Sequence, residues 1–126
     1  MLFDFRYIRV DLLDGQAVFY KCGAAPSVLL RCGKVYRLAS HTPPIGIMNE
    51  LTAEKIKFSL MPGDVAVLMS DGVTEAGGSA DWIVKLLSEL DDTSPENVAG
   101  SLIAEAEKRS GRKDDMSVLA IKVRKI

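Results

Sequence analysis

Short apolar runs, each closed by a turn-forming residue, fill this chain as far as residue 70, and helical spacing appears only afterwards. Gathering strands first and helices later argues against regular βαβ alternation. It predicts an α+β fold, mainly antiparallel sheet flanked by helices. Residues 7–13 (YIRVDLL) and 16–22 (QAVFYKC) flank Asp14-Gly15 as a hairpin. Residues 27–31 (SVLLR) and 34–39 (KVYRLA) flank Cys32-Gly33 in the same way. A proline-rich loop at 41–47 (HTPPIGI) leads to the alternating strand 54–60 (EKIKFSL), and Pro62-Gly63-Asp64 then turns the chain into the apolar strand 65–70 (VAVLMS).

Beyond a glycine-containing loop, Trp82, Ile83, Leu86, Leu87 and Leu90 recur at helical spacing over residues 81–90. Ser94-Pro95 reads as an N-cap followed by a proline at the first helical position, with the helix running to about Arg109 and stopped by Ser110-Gly111. A last strand, 116–123 (MSVLAIKV), follows the acidic pair Asp114-Asp115. At 126 residues, with no repeat and no linker-like stretch, the expectation is one domain over 1–126.

Charge and cysteine content exclude several classes. With 16 basic and 17 acidic residues spread along the chain, there is no electrostatic footprint for nucleic acid or an anionic membrane. No apolar stretch approaches the length of a membrane span and the first residues do not resemble a signal peptide, so the chain is expected to be cytoplasmic. Cys22 and Cys32 are too few for a structural zinc site or a disulfide framework and read as small packed residues. A cysteine-dependent phosphatase would place an arginine six positions after its cysteine. Val28 and Leu38 stand there instead.

Two strand-like stretches each carry aspartate at one end: VAVLMSDG ends on Asp71-Gly72, and DDMSVLAI begins with Asp114-Asp115. Antiparallel pairing would bring both ends to one rim of a sheet. Carboxylates gathered there repel one another, and a hard cation such as magnesium or manganese relieves the repulsion. Gly72 would let backbone approach such a site closely. The same residues also serve plain turns, so spacing alone leaves both readings open.

LMPGDVAVLMSDGVTE, followed some forty residues later by GRKDDMSVLAIKV, resembles the paired downstream motifs of the type 2C metal-dependent protein phosphatases. The likeness is to their bacterial sporulation branch, the stage II sporulation protein E family. FYKCGAAPSVLLRCGKVYRLAS and PPIGIMNE extend it over nearly the whole chain. Related stress-response phosphatases carry Asn-Ala-Gly-His where Cys22-Gly23-Ala24-Ala25 stands here, which favours the sporulation branch.

The resemblance implies a partial α-β-β-α sandwich and hydrolysis of phosphoserine or phosphothreonine by water oriented and acidified by two Mn2+ or Mg2+ ions. By motif it assigns Asp71 and Asp114 as metal ligands, while Asp115 either orients Asp114 or is a solvated strand-end charge. The family's upstream Asp-Gly element, which bridges both ions, has no counterpart here, because Asp14-Gly15 reads as a turn. The expectation is therefore the C-terminal portion of a phosphatase domain, with little activity and a tendency to self-associate. The implied partner of the complete protein, itself membrane-anchored through other regions, is a phosphorylated anti-anti-sigma factor. A noncatalytic interaction module on the same fold is the alternative.

Other chemistry-bearing residues have plainer readings. His41 reads as a loop residue, Trp82 as core, and Glu75 as facing the loop. The Lys108, Arg109, Arg112 and Lys113 cluster reads as either a solvated helix end or a steering patch for a phosphoprotein.

Overall fold

The computed structural model describes residues 5–22, 27–38, 54–111 and 115–124. Strands β1 (Phe5–Val10), β2 (Gln16–Cys22) and β5 (Glu54–Ser59) form one antiparallel sheet in the order β1-β2-β5. Strands β3 (Ser27–Arg31), β4 (Lys34–Leu38), β6 (Val65–Met69) and β7 (Val118–Lys122) form a second in the order β4-β3-β6-β7. Helices α1 (Asp71–Thr74), α2 (Asp81–Ser88) and α3 (Pro95–Ser110) follow β6, with a short 3₁₀ turn at Ala76–Gly78. The α+β architecture of antiparallel sheets with helices is as the sequence predicts.

Alternation along β3 and β6 produces the layers. Val28 and Leu30 of β3 join Val65, Val67 and Met69 of β6 in a core against Ile83 and Leu87 of α2 and Val98 and Leu102 of α3. The intervening Leu29 and Ala66 pack the other way, against Ala17, Leu60, Ile8 and Val10 beside the three-stranded sheet. The four-stranded sheet is thus covered on both faces, which is why β6 reads as unbroken apolar sequence rather than as an alternating strand. The helices lie on its outer face, α3 beside β7 and α2 beside β4.

Helix α3 shows how local sequence fixes an element. Ser94 caps it, its Oγ accepting from the Asn97 N–H at 3.3 Å, with Pro95 at the first position. Gly111 closes it in the left-handed conformation at φ 65°. Both ends agree with the sequence reading.

Four boundaries or environments differ from it. Strand β1 stops at Val10, because Asp11 and Asp14 draw the next residues into local turns: the Leu13 N–H donates to Asp11 Oδ1 and the Gln16 N–H to Asp14 Oδ1, each at 2.9 Å. Leu12 and Leu13 consequently stand 88% and 97% exposed at the hairpin tip. Strand β7 is shorter than its apolar run, and α2 ends at Ser88. Cys32 is free and exposed rather than packed, at φ 50° in the two-residue turn between β3 and β4, a position that points it away from both cores. The His41 loop lies outside the described residues.

Candidate metal rim at the ends of β6 and β7

Strands β6 and β7 pair antiparallel from Val65↔Lys122 to Met69↔Val118, so the exit of one lies beside the entrance of the other. One step beyond the last paired residues, the Ser70 N–H donates to the Ser117 carbonyl at 3.0 Å and the Ser117 N–H donates to Ser70 Oγ at 2.9 Å. There β6 turns into α1. The Ser70 carbonyl accepts from the Val73 N–H at 3.1 Å and the Thr74 N–H at 3.2 Å, and Val73 and Thr74 are buried. Asp71 is the first residue of this turn and is exposed. The sequence reading took this region as loop; a helix forms because Val73 and Ala76 are pulled into the core beside Trp82.

Gly72 defines the contact between the two acidic elements. A β-carbon built on it would collide with the Asp115 carbonyl oxygen and come within 3.2 Å of its carbon and 3.4 Å of Met116 Cγ. The backbone that approaches Gly72 closely is therefore the Asp115 peptide. Asp71 and Asp115, both exposed, share one rim. Asp114 lies outside the described residues, as do Arg112 and Lys113.

The donor chemistry of this rim is carboxylate oxygen, suited to Mg2+ or Mn2+ and not to a thiolate-seeking ion. Its donor number is incomplete. Among the described residues no three histidine, cysteine, aspartate or glutamate side chains come together in a group able to hold a metal. The rim fits such ions in kind and needs further oxygens from elsewhere to complete a coordination sphere.

The opposite end of β6 carries a second aspartate that the sequence reading treated only as part of a turn. Asp64 is 2% exposed. Arg31 holds it in a fork, Nε to Oδ1 at 3.0 Å and Nη2 to Oδ2 at 2.7 Å, while the Met61 N–H donates to Oδ2 at 2.8 Å. Arg31 Nη2 also donates to the Ser59 carbonyl at 2.7 Å, tying the end of β5 to β3. Burial opposes ionisation of Asp64, but the Arg31 hydrogen bond, the Met61 N–H and the Arg31 charge together outweigh it and hold the carboxyl below its ordinary value. The available signal was a lone arginine ending one apolar strand and an aspartate opening another.

Trp82 is a core residue, as expected from its helical position: its indole N–H donates to the Ala76 carbonyl at 3.1 Å. Arg109 lies 5.3 Å above its ring and pairs with Glu105 at 3.0 Å, so this member of the basic cluster is engaged in packing. A shallow groove of about 340 Å³ between α2 and α3 sets Lys85 and Arg109 against Glu89 and Glu105. Its charges balance and select no ligand class.

Comparison with known proteins places this arrangement. The family model for stage II sporulation protein E matches residues 1–124. The stage II sporulation protein E of Bacillus subtilis (strain 168) is 32% identical over 120 residues, covering 90% of this chain and 14% of that protein. The solved phosphatase domain of the cell fate determinant SpoIIE from Bacillus subtilis superposes with a TM-score of 0.81 at 27% identity, covering 97% of this chain and 59% of the other. A manganese-presoaked structure of the same domain gives a TM-score of 0.81 at 28% identity, with coverages of 96% and 56%. The chain thus spans a small part of its full-length relative and over half of the solved phosphatase domain. With the model matched along nearly its whole length, the chain belongs to the stage II sporulation protein E family.

Proposed function

We propose that this chain is the C-terminal part of the catalytic domain of a metal-dependent protein serine/threonine phosphatase. The observation that carries the reading is the Gly72–Asp115 contact, which sets the turn that begins at Asp71 against the Asp115 backbone at one rim. Asp71 and Asp114 hold divalent ions through carboxylate oxygen, and Asp115 orients the Asp114 segment. When bound, two Mn2+ or Mg2+ ions supply Lewis-acid activation of water for hydrolysis of a phosphoserine or phosphothreonine ester. The protein's own contribution is placement. Exposure of Asp71 leaves its carboxylate open to solvent and a phosphoprotein, while the buried Val73 and Thr74 anchor the turn that presents it.

The described donors fall short of a coordination sphere, so these residues alone bind divalent ions weakly and turn over little. The complete protein takes a phosphorylated anti-anti-sigma factor as substrate in sporulation control, a reading supported by family membership. It acts at the cytoplasmic side of a membrane that holds it through other regions; among the described residues no helix is long and apolar enough to cross one. Taken by itself, the chain self-associates. Strands β1 and β5 bound one sheet and β4 and β7 the other, leaving strand edges among the described residues that another copy can pair.

The decisive experiment measures manganese-dependent phosphate release from a phosphoserine peptide by the full-length protein and its Asp71→Asn variant. Loss of release in the variant, with an unchanged melting temperature, supports the reading. Equal release by both would overturn the role of Asp71, and no release by either would favour a noncatalytic interaction module.

A further inference from the structure

We infer that Ser70 is a positioning residue for the acidic rim, the one group that lets β6 become a helix without releasing β7. The inference rests on the metal reading above and extends it to a residue that touches no ion.

In a hydrogen-bonded antiparallel pair, each residue both donates its N–H and accepts through its carbonyl. Ser70 meets half of this requirement, donating to the Ser117 carbonyl at 3.0 Å. Its own carbonyl is committed elsewhere, accepting from Val73 and Thr74 as the first acceptor of α1. The Ser117 N–H would then lose its partner beside the step where Gly72 and the Asp115 backbone meet. Ser70 Oγ accepts from that N–H instead, at 2.9 Å.

Ser94 provides the contrast within the same molecule. It also precedes a helix, and its hydroxyl makes the usual capping bond, to the Asn97 N–H. Ser70 stands at the N-cap of α1 and makes no side-chain capping bond at all. Its hydroxyl is diverted from helix to sheet. One residue therefore serves two elements, carbonyl to α1 and hydroxyl to β7, and the Gly72–Asp115 packing beside it closes the junction. Alanine at 70 would keep the helix and the first ladder bond but free the entrance of β7. Asp115, two residues before Ser117, would then shift relative to Asp71. Rim carboxylates must meet ions to within a fraction of an ångström, so such a shift acts on metal affinity more than on folding.

The test compares Ser70→Ala, Ser70→Thr and Ser94→Ala in the full-length protein. Three quantities are read: deuterium exchange of the peptide containing Ser117 without metal, the manganese concentration for half-maximal phosphate release, and the melting temperature. Ser70→Ala should speed exchange about fivefold and raise the manganese midpoint roughly 10- to 100-fold. Ser70→Thr, which keeps the hydroxyl, should restore both. Ser94→Ala should lower the melting temperature and leave the other two quantities unchanged. An unchanged manganese midpoint in Ser70→Ala, with Asp71→Asn inactive, would overturn the inference while sparing the metal reading. An active Asp71→Asn would remove the metal reading, and Ser117 exchange would still judge the hydrogen bond. Should Ser70→Ala fail to fold, Ser70→Cys keeps the shape, weakens the acceptor and carries the same measurements.

Discussion

Strand β6 is bracketed by two aspartates, each next to a glycine, and the two ends do opposite things. At its entrance Asp64 is buried and takes hydrogen bonds from Arg31 and Met61; at its exit Asp71 is exposed at the turn into α1. A buried carboxylate with its charge matched holds structure together, and its removal leaves an unpaired group in the core. An exposed carboxylate on a rigid turn costs little to keep and is available to a ligand. The lesson is that Asp-Gly and Gly-Asp at strand ends acquire meaning only from what the neighbouring strands place beside them.

Exchanging the two roles by mutation gives the sharpest test. In the full-length protein Asp71→Asn should cut manganese-dependent phosphate release by roughly 100-fold or more, since even outer partners of metal ligands cost 10- to 100-fold. Its denaturation midpoint should stay close to wild type. Arg31→Met should do the reverse, costing about 3 kcal/mol in chemical denaturation because it strands a buried Asp64, and leaving activity per folded molecule intact. A loss of activity without a loss of stability in Arg31→Met would break the division of labour.

Gly72→Ala lies between these extremes. Its methyl group must displace the Asp115 carbonyl, with an expected cost of about 1–3 kcal/mol and a raised manganese requirement. Wild-type stability together with a wild-type manganese midpoint would show that the two acidic elements need not touch.

The smallest effect concerns pH. Asp64 has a folded-state pKa depressed from 3.8, so its contribution is complete well above that value and is lost as pH falls through the lower folded value. In Arg31→Met, burial acts on Asp64 with the Arg31 hydrogen bond and charge removed, and protonation relieves the stranded charge. The stability gap between wild type and Arg31→Met should therefore narrow between neutral pH and about pH 3, followed by denaturant titration at each pH. A constant gap would mean that Arg31 acts through packing of its stem and not through the carboxylate. Separately, light scattering of the isolated chain over a concentration series should show growth in mass, and a persistent monomer would contradict edge pairing.

Local chemistry made much of this molecule legible in advance. The Ser94-Pro95 cap and Gly111 stop define α3 because capping involves residues only a turn apart. Unbroken apolar sequence in β6 announced a strand inside a sheet, and the two motifs SDG and DDMS carried the family resemblance. What sequence alone left undecided was every property that depends on a distant partner. Leu12 and Leu13 read as strand until Asp11 and Asp14 captured the backbone, and Asp64 read as a turn until β3 brought Arg31 alongside. The residues after Asp71 read as loop until Val73 found the core. Propensity and periodicity act over a few residues, whereas burial, charge pairing and the double use of Ser70 arise from strands far apart in the chain, so only their assembly buried Asp64 against Arg31 and left Asp71 exposed.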